Sequence, residues 1–185
     1  MNWRRAILRH AFLMLQLLAT VLRTGSKAEP VSLMPDERAL GENLQKSIRA
    51  LCGGRALRIR HVDAGSTNGE EYEVTALGNA YYDVERFGLS FVASPRHADM
   101  LTVSGPVTRN MAHALQTAYH LMPEPRMVVA VGDGAVTGGI WNDSYAVVGP
   151  VSALLPVDVE IPGDPPTPRA ILTGILAAVE AARKV

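Results

Sequence analysis

The chain has 185 residues, 48% of them hydrophobic, enough to bury one substantial core and to form a single domain with a short appendage. Eighteen basic and eighteen acidic side chains cancel, so no whole-molecule field draws the protein to nucleic acid. The single cysteine, Cys52, excludes an internal disulfide, a cysteine-based zinc site and an iron–sulfur cluster held in the usual way by this chain's own thiolates; it reads as a buried or half-buried bystander.

Arg4, Arg5 and Arg9 precede the apolar run "AFLMLQLLATVL", and Arg23 and Lys27 follow it. The run, Ala11 to Leu22, is shorter than the roughly 20 residues a spanning helix needs, and Gln16 interrupts it. A helix lying on a membrane surface or on a partner fits this pattern best. A secretory signal competes, although no Ala-x-Ala-like cleavage site follows, and an ordinary core helix is the third reading. The polar stretch "TGSKAEPVSLMPDE" reads as a linker ending where Asp36 caps a helix over "ERALGENLQKSIRALC", which Gly53 and Gly54 stop. The expected division is therefore a membrane-proximal or partner-binding helix and linker over 1–35, then an α/β domain over 36–185.

"ALRIRHV" alternates as a strand does, and "GLSFVASP" and "DMLTVSGP" are two further short strands, each closed by a small-residue turn and a proline. Met111, Leu115, Ala118 and Met122 form a helical stripe that Thr108 is placed to cap and that Pro123 and Pro125 end. "RMVVAV" and "VDVEI" are strands, and a last helix runs from about Thr167 or Pro168 to Ala181. Unbroken valine runs are buried on both faces, which points to a mostly parallel sheet covered by helices, a flavodoxin-like three-layer α/β sandwich with the N-terminal helix added.

Three loops leave the C-terminal ends of predicted strands: "DAGSTNGEE", "GDGAVTGG" and "PGDPPTP". In a parallel sheet these ends share one edge, where ligands collect. Thr67 and Glu70 have the spacing of a Cys-x-x-Cys metal loop, yet neither is a cysteine. The glycine loop after "VVAV" lacks both the Walker ending and the Gly-x-Gly-x-x-Gly spacing, which argues against a nucleotide. Glu70, Glu71, Asp133 and Asp164 are either hard oxygen ligands for magnesium or calcium or, the simpler reading, solvated or interface charges. His61 and Asp63 read as strand-end and loop-ordering residues.

The strings "YYDVERFG" and "SPRHADMLTVSGPVTRNM", with the three loops and "SYAVVGPV", closely resemble the small electron-transfer subunit of membrane-bound group 4 nickel–iron hydrogenases, related to the 20 kDa subunit of respiratory complex I. The resemblance runs from about Leu57 to the C-terminus. It implies one four-iron four-sulfur cluster held by four cysteines, whose places here are taken by Thr67, Glu70, Gly134 and Asp164. Such a set is a poor, hard-ligand site for a cluster that prefers thiolates, so no cofactor is expected. The loop frame is kept in Gly65, Gly69, Gly132, Gly138, Gly139, Gly163, Pro165 and Pro166. Arg96 and His97 match a segment that in the family approaches the cluster and the large-subunit interface, and Glu73 matches an acidic position near the coupling region. The plainer readings are a satisfied structural histidine for His97 and a salt-bridge partner for Glu73.

The resemblance implies a non-catalytic, cluster-free structural or coupling subunit at the cytoplasmic face of the inner membrane. It would bridge a hydrogenase-like or complex I-like large subunit and antiporter-like membrane-arm subunits. The alternative is an electron-transfer subunit of a quinone-linked or hydrogen-linked oxidoreductase with a nonstandard or partner-assisted four-iron four-sulfur cluster. A free-standing binding protein for a small anion or a metal at the three-loop cavity is the third.

Overall fold

The computed structural model describes residues 3–24 and 35–184, with side chains in the first segment from Leu13 to Arg23. The chain divides into two units, residues 1–32 and 33–185. Helix α1, Trp3–Thr24, is the first; it has no acidic residue, and Leu13, Met14, Leu15, Leu17, Leu18, Val21 and Leu22 are exposed. Helical spacing places Met14, Leu18, Val21 and Leu22 on one side and Gln16, Thr20 and Arg23 on the other. Among the described residues no helix is long and apolar enough to cross a membrane. The predicted linker falls mostly outside the described residues, as does Lys27.

The second unit carries five parallel strands: β1 Leu57–Asp63, β2 Leu89–Phe91, β3 Met100–Ser104, β5 Met127–Val131 and β7 Val159–Ile161. Their order is β2-β1-β3-β5-β7, the flavodoxin-like doubly wound arrangement. A separate antiparallel pair, β4 Val107–Thr108 and β6 Val147–Gly149, is a feature the sequence reading did not anticipate. Six α-helices are described: α1, α2 Pro35–Leu51, α3 Gly69–Ala76, α4 Arg109–Leu121, α5 Asp133–Thr137 and α6 Pro168–Ala182.

Period-two alternation explains the layers. Leu57, Ile59, Met100, Met127, Val129 and Val131 face one side and pack with Leu44 and Ile48 of α2 and with Ile171, Ile175 and Val179 of α6. Val62, Leu101, Val103, Val128 and Ala130 face the other side and pack with Leu115 of α4. α3 adds cover on the α6 side.

Two helix starts differ from expectation. α2 begins at Pro35, so Asp36 lies in its first turn, where its charge suits the helix dipole, rather than at a cap. Thr108 does precede α4, but its hydroxyl donates to the Ala64 carbonyl at 2.9 Å and ties the loop after β1 to β4. Thr167, by contrast, accepts from Ala170 N at 3.3 Å as a true cap of α6.

Candidate functional site

Strand register builds the site. Asp63 pairs with Ser104, Ser104 with Val131 and Val131 with Ile161, so four parallel strands end in one row. The segments that leave that row enclose a cavity of about 430 Å³. Thr67, Glu70, Gly134 and Asp164 all line it, together with Asp133. Pro106, Ile140 and Trp141 form its apolar wall.

The loops hold each other through peptide groups. Gly132 N donates to the Ile161 carbonyl at 2.8 Å, and Asp133 N donates to the Gly163 carbonyl at 2.8 Å. Gly163 N returns a bond to Asp133 Oδ1 at 2.7 Å. Thr108 N donates to the Ala64 carbonyl at 2.9 Å. Asp63 Oδ1 accepts from Gly65 N and Ser66 N, both at 2.8 Å, the loop-ordering role its position suggested. Gly132 sits at φ +90°, and a side chain there would begin 2.5 Å from Glu70 Oε1, so glycine meets both needs.

The stretch expected to be a loop is helical from Gly69, and this separates two adjacent carboxylates. Glu70 is 3% exposed, and its Oε2 has no hydrogen-bond partner among the described residues. Burial pushes its carboxyl above the ordinary range, and Glu71, Asp164 and Asp63 add to the rise. Glu71 instead turns to the sheet, where Ser66 and Ser104 hydroxyls donate to its two oxygens. Burial alone would raise the Glu71 carboxyl, but the Ser104 and Ser66 hydroxyls outweigh it and hold it below the ordinary range. His61 joins this group through Nε2, 3.5 Å from Glu71 Oε1 and 3.3 Å from Ser104 Oγ, and through Nδ1, 3.0 Å from Thr102 Oγ1. Burial pushes its imidazole down despite Glu71. The sequence reading did not find this network. Its signal was present, because on one face β1 runs Leu57, Ile59, His61 and β3 runs Met100, Thr102, Ser104, apolar residues giving way to polar ones toward the C-terminal edge.

Other expectations fall elsewhere. Arg96 and His97 are exposed on the short turn Pro95–His97, which packs against α4 and leads into the N-terminal end of β3, the edge opposite the cavity. Glu73 lies one turn beyond Glu70 and forms no ion pair among the described residues. Cys52 lies just after α2, partly buried against the α2–α6 core. The four carboxylates do not gather as a cation site: Glu71 turns to His61, and no group of three His, Cys, Asp or Glu suited to a metal occurs among the described residues.

The donors at the four lining positions are a hydroxyl, two carboxyls and no side chain at all. A Cβ at Gly134 would fall 2.8 Å from Pro106 Cδ. Iron–sulfur clusters take thiolates, so this set does not fit one.

The family model "NADH ubiquinone oxidoreductase, 20 Kd subunit" matches residues 68–178. The "Probable membrane-bound hydrogenase subunit mbhJ" of Pyrococcus furiosus is 40% identical over 146 residues, 78% of this chain and 87% of the relative. "Formate hydrogenlyase subunit 7" of Escherichia coli is 40% identical over 152 residues, 81% of this chain and 58% of that longer relative. Among solved structures, a chain of the membrane-bound sulfane sulfur reductase, an archaeal respiratory membrane complex, matches with TM-score 0.64 and 31% identity over 75% of this chain and 77% of its own. A chain of an NAD+-reducing [NiFe]-hydrogenase shares the fold at TM-score 0.53 and 20% identity, over 66% of this chain and 92% of its own.

Proposed function

Because the chain belongs to the NADH ubiquinone oxidoreductase 20 kDa subunit family, alongside the small subunits of group 4 hydrogenases, we propose that it is a cluster-free member that joins and couples partners in a membrane-bound complex. The observation that carries this reading is the donor set: the cavity where the four loop positions meet offers Thr67, Glu70 and Asp164 side chains and a bare Gly134. The chain's one thiol is on Cys52, at the end of α2 rather than beside the cavity.

On this reading the partners are a hydrogenase-like or complex I-like large subunit on the cavity side and antiporter-like subunits of a membrane arm. The segment beside the cavity supports the first contact, since Ile140 is 87% and Tyr145 91% exposed. Large apolar and aromatic groups left in water favour a covering surface. α1, with its exposed apolar residues and its basic composition, is proposed as the membrane-proximal element of a peripheral subunit at the cytoplasmic face.

The test is iron and acid-labile sulfide in the intact complex isolated without oxygen, with low-temperature electron paramagnetic resonance and anomalous scattering at the cavity. The expected result is no iron between Thr67, Glu70, Gly134 and Asp164. Iron there would overturn the reading in favour of an electron-transfer subunit whose cluster is completed by a partner.

A further inference from the structure

The cavity is acidic, and one of its acids is unsatisfied. Glu70, Asp133 and Asp164 line it, and among the described residues no lysine, arginine or histidine does. Asp133 spends one oxygen on Gly163 N, and Asp164 is exposed. Glu70 is different, because it is buried and its Oε2 meets no donor among the described residues. A buried carboxyl with a free oxygen is costly, and it is most simply retained where a donor arrives from outside. Trp141, half exposed, lines the same cavity, and an indole ring attracts a planar cation to its face.

These features choose among cations. A divalent metal needs several oxygens converging on one point, and the lining acids do not form such a group. An ammonium is strongly hydrated and offers no flat face to an indole. A guanidinium is planar and weakly hydrated, pairs edge-on with a carboxylate and stacks on an aromatic ring. We infer that this cavity receives an arginine side chain of a partner subunit, with Glu70 as its buried counter-ion, Asp164 at the rim and Trp141 against its face. The inference rests on the cluster-free reading above, and it gives the space that a cluster would fill a different occupant. Ile140, which lines the cavity, would be covered in the same docking event.

The experiment uses the full chain with Trp3→Phe, which leaves Trp141 as the only tryptophan. N-acetyl-arginine amide is titrated while Trp141 emission is followed, with N-acetyl-lysine amide and magnesium chloride as competitors of other chemistry. Saturable change with the arginine probe is expected, with weaker binding of the lysine probe and none of magnesium. Glu70→Gln should weaken arginine binding about tenfold, the loss of one charge-assisted contact. Asp164→Asn, an exposed change that leaves the fold intact, should weaken it by a smaller factor and serves if Glu70→Gln folds poorly. The inference is overturned if the arginine probe does not saturate, if lysine or magnesium binds as well, or if neither substitution alters binding. Iron is measured on the same preparation. Iron-free protein that ignores arginine refutes this inference alone, whereas iron at the site refutes the cluster-free reading on which it rests.

Discussion

Replacing Glu70 with methionine should make the isolated chain more stable. The carboxyl is 3% exposed and Oε2 has no partner among the described residues, so the fold bears the desolvation of an unpaired acceptor, about 1–3 kcal/mol. Methionine has similar length, adapts to the space beside Gly132 and carries no polar atom needing a partner. For a chain of this size that gain is a rise in melting temperature of about 2–10 °C. The sign with pH follows from the raised carboxyl. Below its ordinary value of 4.5 both folded and unfolded chains hold the proton, and ionisation costs the fold nothing. As pH rises from there, the unfolded chain releases the proton first and wild-type stability falls, until the folded carboxyl also ionises and the curve levels. The advantage of Glu70→Met should therefore be smallest near pH 4 and grow toward neutrality. Urea melts of both proteins, followed by circular dichroism across that range, measure it. A methionine variant less stable than wild type at neutral pH, or an advantage that grows toward acid, would refute the assignment of Glu70 as an uncompensated buried acid.

Two further outcomes follow from the frame. Burial would raise the Asp99 carboxyl, but Arg55 at 2.6 and 2.8 Å and Arg58 N at 3.0 Å hold it below its ordinary 3.8. Asp99→Asn should cost about 1.5–3 kcal/mol at neutral pH in denaturant melts. The difference should shrink only as pH falls below 3.8, and a variant whose deficit is unchanged there would contradict the ion pair. Gly134→Ala forces a Cβ to 2.8 Å from Pro106 and should cost about 1–3 kcal/mol by overpacking; an unchanged melting point would mean that the Pro106 turn yields freely.

The sheet was legible because its signals are local. "MVVAV" and "MLTVS" are buried at every position, as strands covered on both faces must be, and the turn after each fixed the edge on which the loops meet. The meeting of Thr67, Glu70, Gly134 and Asp164 in one cavity follows from that edge. What the sequence hid depends on distance. Thr108 has the right residue type and place for a cap, but its hydroxyl turns to donate to the carbonyl of Ala64, far away in sequence, and accepts no bond from the helix start. Glu70 and Glu71 look equivalent in a row of letters, and only the start of α3 at Gly69 sends one to the cavity and the other to His61 and Ser104. Arg96 and His97 lie within a matching string, yet the crossover from β2 to β3 carries them to the other end of the sheet. The short β4–β6 pair lacked a readable signal because two- and three-residue strands carry too little periodicity.

The loops around the cavity are sewn together by main-chain bonds, Gly132 to Ile161, Asp133 to and from Gly163, and Thr108 to Ala64. A four-iron four-sulfur cluster at these positions would add an inorganic cross-link, and with it dependence on cofactor assembly and vulnerability to air. Peptide groups ask for neither. On the cluster-free reading, such a subunit can reach its final shape as soon as it is synthesised, and it can wait for its partners under conditions that would destroy an iron–sulfur centre.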